Sequence, residues 1–114
     1  MNARNLLDRV TRVPGVRGAL LVAATDGLVV AEHLMDGVDG RAAAALAGSL
    51  VGRLARTARE AGYQRPSFVH LKAEAGSVLA APGSDDLVLV AVVAPDANLG
   101  LARLEMIDAA SRLG

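Results

Sequence analysis

The sequence predicts an α/β sandwich: a five-stranded antiparallel sheet with helices on both faces, in the order α-β-β-α-β-β-β-α. Three observations carry this. Three runs repeat apolar residues at helical spacing, five short runs have strand character between turn residues, and two of those strands are apolar at nearly every position. A strand buried on one face only would alternate, so both faces of the sheet need cover.

In chain order, Leu6, Leu7, Val10 and Val13 mark a first helix, stopped at Pro14-Gly15 because proline disfavours helix in the residue before it. The period then changes to that of strands over 18–24 and 28–32, joined through Thr25-Asp26-Gly27, a hairpin turn in which Asp-Gly accepts positive φ. A polar loop over 35–40 leads to the longest helix, 41–61, with Asp39 as its N-cap and Gly62 as its stop. Strands at 67–73, 77–81 and 87–94 follow, and the short turns between them make the pairing antiparallel. The last helix, 98–113, carries Leu101, Leu104, Met106, Ile107 and Leu113, with Asp96 after Pro95 as the cap. The nearly uniform 87–94 strand is expected near the middle of the sheet.

A chain of 114 residues with 53% apolar and 21% charged residues is long and apolar enough for one folded domain spanning 1–114. Phe68 and Tyr63 are its only aromatics, which leaves no stacking platform for single-stranded nucleic acid, and twelve basic residues are cancelled by twelve acidic ones. Nucleic acid is therefore not an expected partner. Cysteine is absent, so thiolate metal sites and thiol nucleophiles are excluded. The first residues hold no signal-type apolar stretch, and the low-charge run 42–52 falls short of the roughly 20 residues a membrane span requires. A cytoplasmic protein without membrane insertion is the expectation.

Catalytic and cofactor constellations are missing. The only lysine, Lys72, follows Val69-His70-Leu71, so no phosphate-cradling glycine-rich loop with its lysine is present. His33 and His70 stand in strands without a second histidine at metal-ligand spacing, and the pairs Asp36/Asp39 and Asp85/Asp86 sit where aspartate serves turns and caps. His33 with Asp36 and Asp39 fits no defined ligand pattern. No catalytic residue, metal site or cofactor is assigned, and the chain reads as a non-enzyme.

The long helix is more informative. Projected at about 100° per residue, Ala43, Leu46, Ala47, Leu50, Leu54 and Ala58 form one stripe, expected to lie on the sheet. Ala44, Ala45, Gly48, Ser49, Gly52 and Ala55 form the opposite face, followed by Arg56 and Arg59 with Arg53 to one flank. Glycine inside a helix costs ~1 kcal/mol relative to alanine, so two on an outward face suggest close approach of a second helix. The 67–73 strand offers Phe68, Val69 and Leu71, with only His70 and Lys72 to discourage sticking; as a sheet edge it invites pairing with another chain. Antiparallel pairing of two copies there sets their long helices side by side, in the closed symmetry most homodimers use. The expected dimer interface is Ala45, Gly48, Ser49, Gly52, Phe68, Val69, His70 and Leu71, and Arg53, Arg56 and Arg59 are the candidates for contact with a partner's acidic surface.

The segments Val13-Pro14-Gly15-Val16, Gly18-Ala19-Leu20-Leu21-Val22, Thr25-Asp26-Gly27-Leu28-Val29-Val30-Ala31 and Asn98-Leu99-Gly100-Leu101-Ala102-Arg103, around the alanine-rich helix, together resemble the Roadblock/LC7 domain family, in its bacterial MglB-like type. The match is in order and spacing over nearly the whole chain. The resemblance implies a five-stranded sheet with the second helix on one face and the terminal helices on the other, and dimers paired through the third strand and second helix. It further implies a subunit or regulator of Ras-like small GTPases, with a GTPase-activating role in MglB-like dimers that reshapes the GTPase and donates no arginine finger. A scaffold or adaptor for a non-GTPase protein is the alternative with the same fold.

Overall fold

The computed structural model describes residues 2–64, 66–84 and 86–113; Asp85 of the Asp85/Asp86 pair lies outside them. Eight elements follow one another: α1 (Ala3–Thr11), β1 (Val16–Ala23), β2 (Leu28–Leu34), α2 (Gly40–Glu60), β3 (Val69–Ala73), β4 (Gly76–Pro82), β5 (Leu87–Val93) and α3 (Leu99–Ser111). They build one antiparallel sheet in the order β2-β1-β5-β4-β3. The expected order of elements is observed, and β5 is the central strand.

Burial on both sides explains the two uniformly apolar strands. On one face Leu20 and Val22 of β1, Val88 and Val90 of β5 and Ala80 of β4 pack under Ala43, Ala44, Ala47 and Val51 of α2. On the other face Ala19, Leu21, Leu89, Ala91 and Leu79 pack under Leu6, Leu7 and Val10 of α1 and Ala102, Met106 and Ala109 of α3. Alternate residues of one strand thus enter different cores, which is why neither strand alternates in polarity. Arg9 of α1 ties the two outer helices together through Glu105 (3.0 Å) and Asp108 (2.8 Å). Arg112 and Arg9, both hydrogen-bonded to Asp108, hold its carboxyl below the usual range, and Asp108 in turn raises Arg9.

The caps follow sequence chemistry with one correction. Asp39 caps α2 by accepting the Ala42 N–H at 3.0 Å. At α3 the cap is Asn98, which accepts the Leu101 N–H at 3.0 Å, and Asp96 lies too far upstream for that role. β3 is shorter than its sequence suggests, because Phe68 leaves the strand, packs against the α1/α3 core and carries the Arg103 guanidinium 5.6 Å above its ring.

The two edge strands differ. β3 pairs with β4 in unbroken register from Val69↔Ala80 to Ala73↔Gly76. In β2 the register shifts: Leu21 faces Ala31 and Val22 faces Val29, so Val30 has no partner on β1 and forms a bulge.

Candidate interaction surface

The rotation of α2 decides what the molecule presents. The residues turned to the sheet are Gly40, Ala43, Ala44, Ala47, Gly48 and Val51. The buried stripe is rotated from the sequence reading by roughly 60° at about 100° per residue. Ala43 and Ala47 lie on the sheet as expected, but Leu46 and Leu54 are 45% and 36% exposed and Leu50 is half-buried, while Ala44 and Gly48 are buried. The helix sits close to the strands because its inner side chains are small. A β-carbon on Gly48 lies 3.3 Å from Gly27 Cα in the β1–β2 turn, so the glycine there answers to its own chain. Gly48 therefore does not present an outward face to a second helix. Ala45 and Ser49 do point outward, and Gly52 is half-buried with nothing within 4 Å of its added β-carbon.

Leu46, Leu50 and Leu54 are spaced one turn apart along one flank of α2, and Leu46 shares a groove with Leu71 of β3. Beside them the sheet is uncovered. Leu46, Ala42 and Ala43 form one wall of a groove of about 540 Å³ whose floor includes Leu71 of β3, Val78 of β4 and Val92 of β5. Leu71 is 39% exposed, and Val69, Val78 and Val92 are only partly buried at the margin of the α2-side core. A helix is thus missing over this half of the sheet. On the opposite face of β3, His70 Nε2 lies 2.9 Å from Ser77 Oγ, a cross-strand hydrogen bond that pins the edge strand to β4.

Arg53, Arg56 and Arg59 are all exposed on the outer half of α2, and among the described residues none of their side chains makes a hydrogen bond or ion pair. His33 is not joined to Asp36 and Asp39: its Nδ1 lies 2.9 Å from Asp8 Oδ1 on α1, and Asp39 is used as the α2 cap. No group of three or more histidine, aspartate or glutamate side chains suited to a metal ion occurs among the described residues.

The described surface combines an open sheet edge, an apolar groove and a basic cluster without a partner among the described residues. The sequence profile of the Roadblock/LC7 domain matches residues 3–94. The chain belongs to the Roadblock/LC7 family. A protein of Methanocaldococcus jannaschii, MJ0714, is 32% identical to it over 113 residues, covering 96% of this chain and 94% of the relative. Among solved structures, a Roadblock/LC7 domain from Streptomyces avermitilis superposes with a TM-score of 0.82 at 21% identity, over 96% of this chain and 92% of that one. The gliding protein MglB from Thermus thermophilus also gives 0.82, at 22% identity, over 96% and 83%. These structural likenesses confirm the fold. The Roadblock/LC7 fold is that of a regulatory or adaptor domain. In this Roadblock/LC7 domain the β3 residues read from sequence, Val69, His70 and Leu71, lie on the open edge with Phe68 just before it. The leucines one turn apart at 46, 50 and 54 are visible in the sequence, but their apolar size assigns them to the sheet-facing stripe, and the structure leaves Leu46 and Leu54 exposed.

Proposed function

We propose that this Roadblock/LC7 domain is a homodimeric, non-enzymatic regulator or adaptor in the cytoplasm that binds a Ras-like small GTPase. The observation that carries the reading is the half-covered sheet: an apolar groove and a regular free edge at β3 beside the leucine flank of α2. A second copy fits this vacancy, since antiparallel pairing of two β3 strands brings the partner's α2 over the open half of the sheet. Leu46, Leu50 and Leu54 then meet their counterparts, and burying each exposed leucine contributes about 1 kcal/mol or more. In this proposal the β3 part of the interface keeps the residues read from sequence, and the α2 part moves from Ala45, Gly48, Ser49 and Gly52 to the leucines. The GTPase reading draws support from the family membership and from the likeness to MglB. Arg53, Arg56 and Arg59 remain the partner contacts, with no catalytic role.

The test is binding of the purified protein to Ras-like GTPases, each loaded with a GTP analogue and with GDP, beside its mass by light scattering. Preference for the GTP form and a mass of two chains are expected. A monomeric mass refutes the dimer, and absence of binding in both nucleotide states moves the function to an adaptor for another protein.

A further inference from the structure

The flank of α2 turned away from β3 holds a second recess. Gly52, Ala55 and Arg59 stand over Ala24 just past the end of β1 and Leu87 and Val88 at the start of β5, with Val51, Pro82 and Asp86 completing a cleft of about 360 Å³. It exists because the helix carries no side chain there. A β-carbon at Gly52 meets nothing within 4 Å, so no contact inside the chain requires glycine, although glycine weakens a helix interior. One turn earlier, Gly48 is accounted for by its contact with Gly27; Gly52 has no such account.

The charges at the rim are unequal in their engagement. Asp86 Oδ2 accepts the Thr25 backbone N–H at 3.0 Å and also the Thr25 hydroxyl, so its carboxylate is occupied. The guanidinium of Arg59 has no partner among the described residues, and neither has that of Arg56 next to it on the helix surface. The cleft is thus bordered by Arg59, with Arg56 one turn before it, both unpaired among the described residues.

We propose that this cleft is a docking pocket for one apolar side chain of an acidic segment in a partner protein, seated against Val51, Ala55 and Val88, with flanking carboxylates on Arg59 and Arg56. A single anchor in a desolvated pocket with charges at its rim is how a small surface obtains both affinity and selectivity. The inference rests on the chain being a protein-binding module but not on self-association, because the cleft and the leucine flank lie on opposite sides of α2.

The test is a titration of isotope-labelled protein with the capped pentapeptide Glu-Glu-Leu-Glu-Glu, followed by amide chemical shifts. Saturable shifts at Gly52, Ala55, Arg59 and Val88 are expected at millimolar peptide. Replacing the peptide leucine by alanine weakens binding about tenfold, and a Lys-Lys-Leu-Lys-Lys peptide does not bind. Gly52→Phe fills the cleft and abolishes the shifts. Arg59→Glu, an exposed change that leaves the fold intact, weakens the acidic peptide severalfold and admits the lysine peptide. No saturable shifts, equal binding of both charge types, or unchanged affinity in Arg59→Glu overturns the proposal. If Gly52→Phe fails to fold, the Arg59→Glu result decides alone. Light scattering on Arg59→Glu reads the dimer separately, so loss of peptide binding at full dimer mass is distinguishable from failure of the self-association reading.

Discussion

Two glycines one turn apart in α2 should respond differently to the same change. Alanine in place of glycine in a helix interior gains about 1 kcal/mol, because the backbone surrenders less freedom on folding. At Gly52 an added β-carbon finds no atom within 4 Å, so the full gain is available. For a chain of this size that is a rise in Tm of ~3–6 °C. At Gly48 the same carbon stands 3.3 Å from Gly27 Cα, 3.8 Å from Gly27 N and 3.9 Å from Ala24 O, all backbone atoms of a turn that cannot rotate aside. Gly27 has φ +71°, so its own turn resists adjustment. The helix must then lift from the sheet by a few tenths of an ångström along a packed face, and small-to-large strain of this kind consumes most or all of the gain. Thermal unfolding followed by circular dichroism, with a urea titration for the free-energy difference, measures both variants. Gly52→Ala is expected to be clearly stabilised and Gly48→Ala to gain less than half as much. Equal gains in the two, or a loss at Gly52, would refute the placement of these glycines and with it the rotation of α2.

Leu50→Glu should halve the molecular mass in solution while leaving the circular dichroism spectrum unchanged; an intact dimer would remove the leucine flank from the interface. Met106→Ala, at a fully buried position between α3 and the sheet, should cost about 2–5 kcal/mol by urea denaturation, and a loss well under 1 kcal/mol would contradict that core. Asn98→Ala should cost ~1 kcal/mol whereas Asp96→Ala should be nearly neutral, and the reverse order would return the α3 cap to Asp96. Asp108 has a folded pKa depressed by Arg112 and Arg9, so its contribution is present above the ordinary aspartate pKa of about 3.9 and is lost as pH falls through the lower folded value. Asp108→Asn should accordingly flatten the fall in stability below about pH 4, measured by urea midpoints across pH; a variant as acid-sensitive as wild type would contradict the Arg9–Asp108–Arg112 network.

The order of elements, the central place of β5 and the double-sided cover were legible because Leu20, Leu21 and Val22, and again Val88, Leu89 and Val90, leave no polar face to turn to water. Asp39 was legible as a cap because a side-chain acceptor before a helical run has few other uses. The phase of α2 was not. Its two possible stripes, one of alanine and leucine and the other of alanine and glycine, differ chiefly in size, and a hydrophobicity projection favours the larger residues for the core. Packing chose the smaller ones, because Ala44 and Gly48 let the helix approach the β1–β2 turn, and that choice put Leu46 and Leu54 outside. The cleft at Gly52 was beyond reach for a related reason: a glycine that touches its neighbour and one that touches nothing are identical in sequence. At β3 the reading of Val69, His70 and Leu71 as an edge needed only the low charge of the run, and Phe68 was misjudged because its aromatic ring suits a strand as well as the α3-side core it joins.

The inequality of the two edge strands sets a limit on growth. A free strand is an invitation to polymerise, and a sheet with two equally good edges can add copies without end. Here one edge is a clean five-residue ladder and the other is interrupted at Val30, which has no partner even within its own hairpin. Joining two copies through the clean edges uses both of them up and leaves the composite sheet bounded only by interrupted ones. In the proposed pairing through β3, such strands let an assembly count to two and then stop.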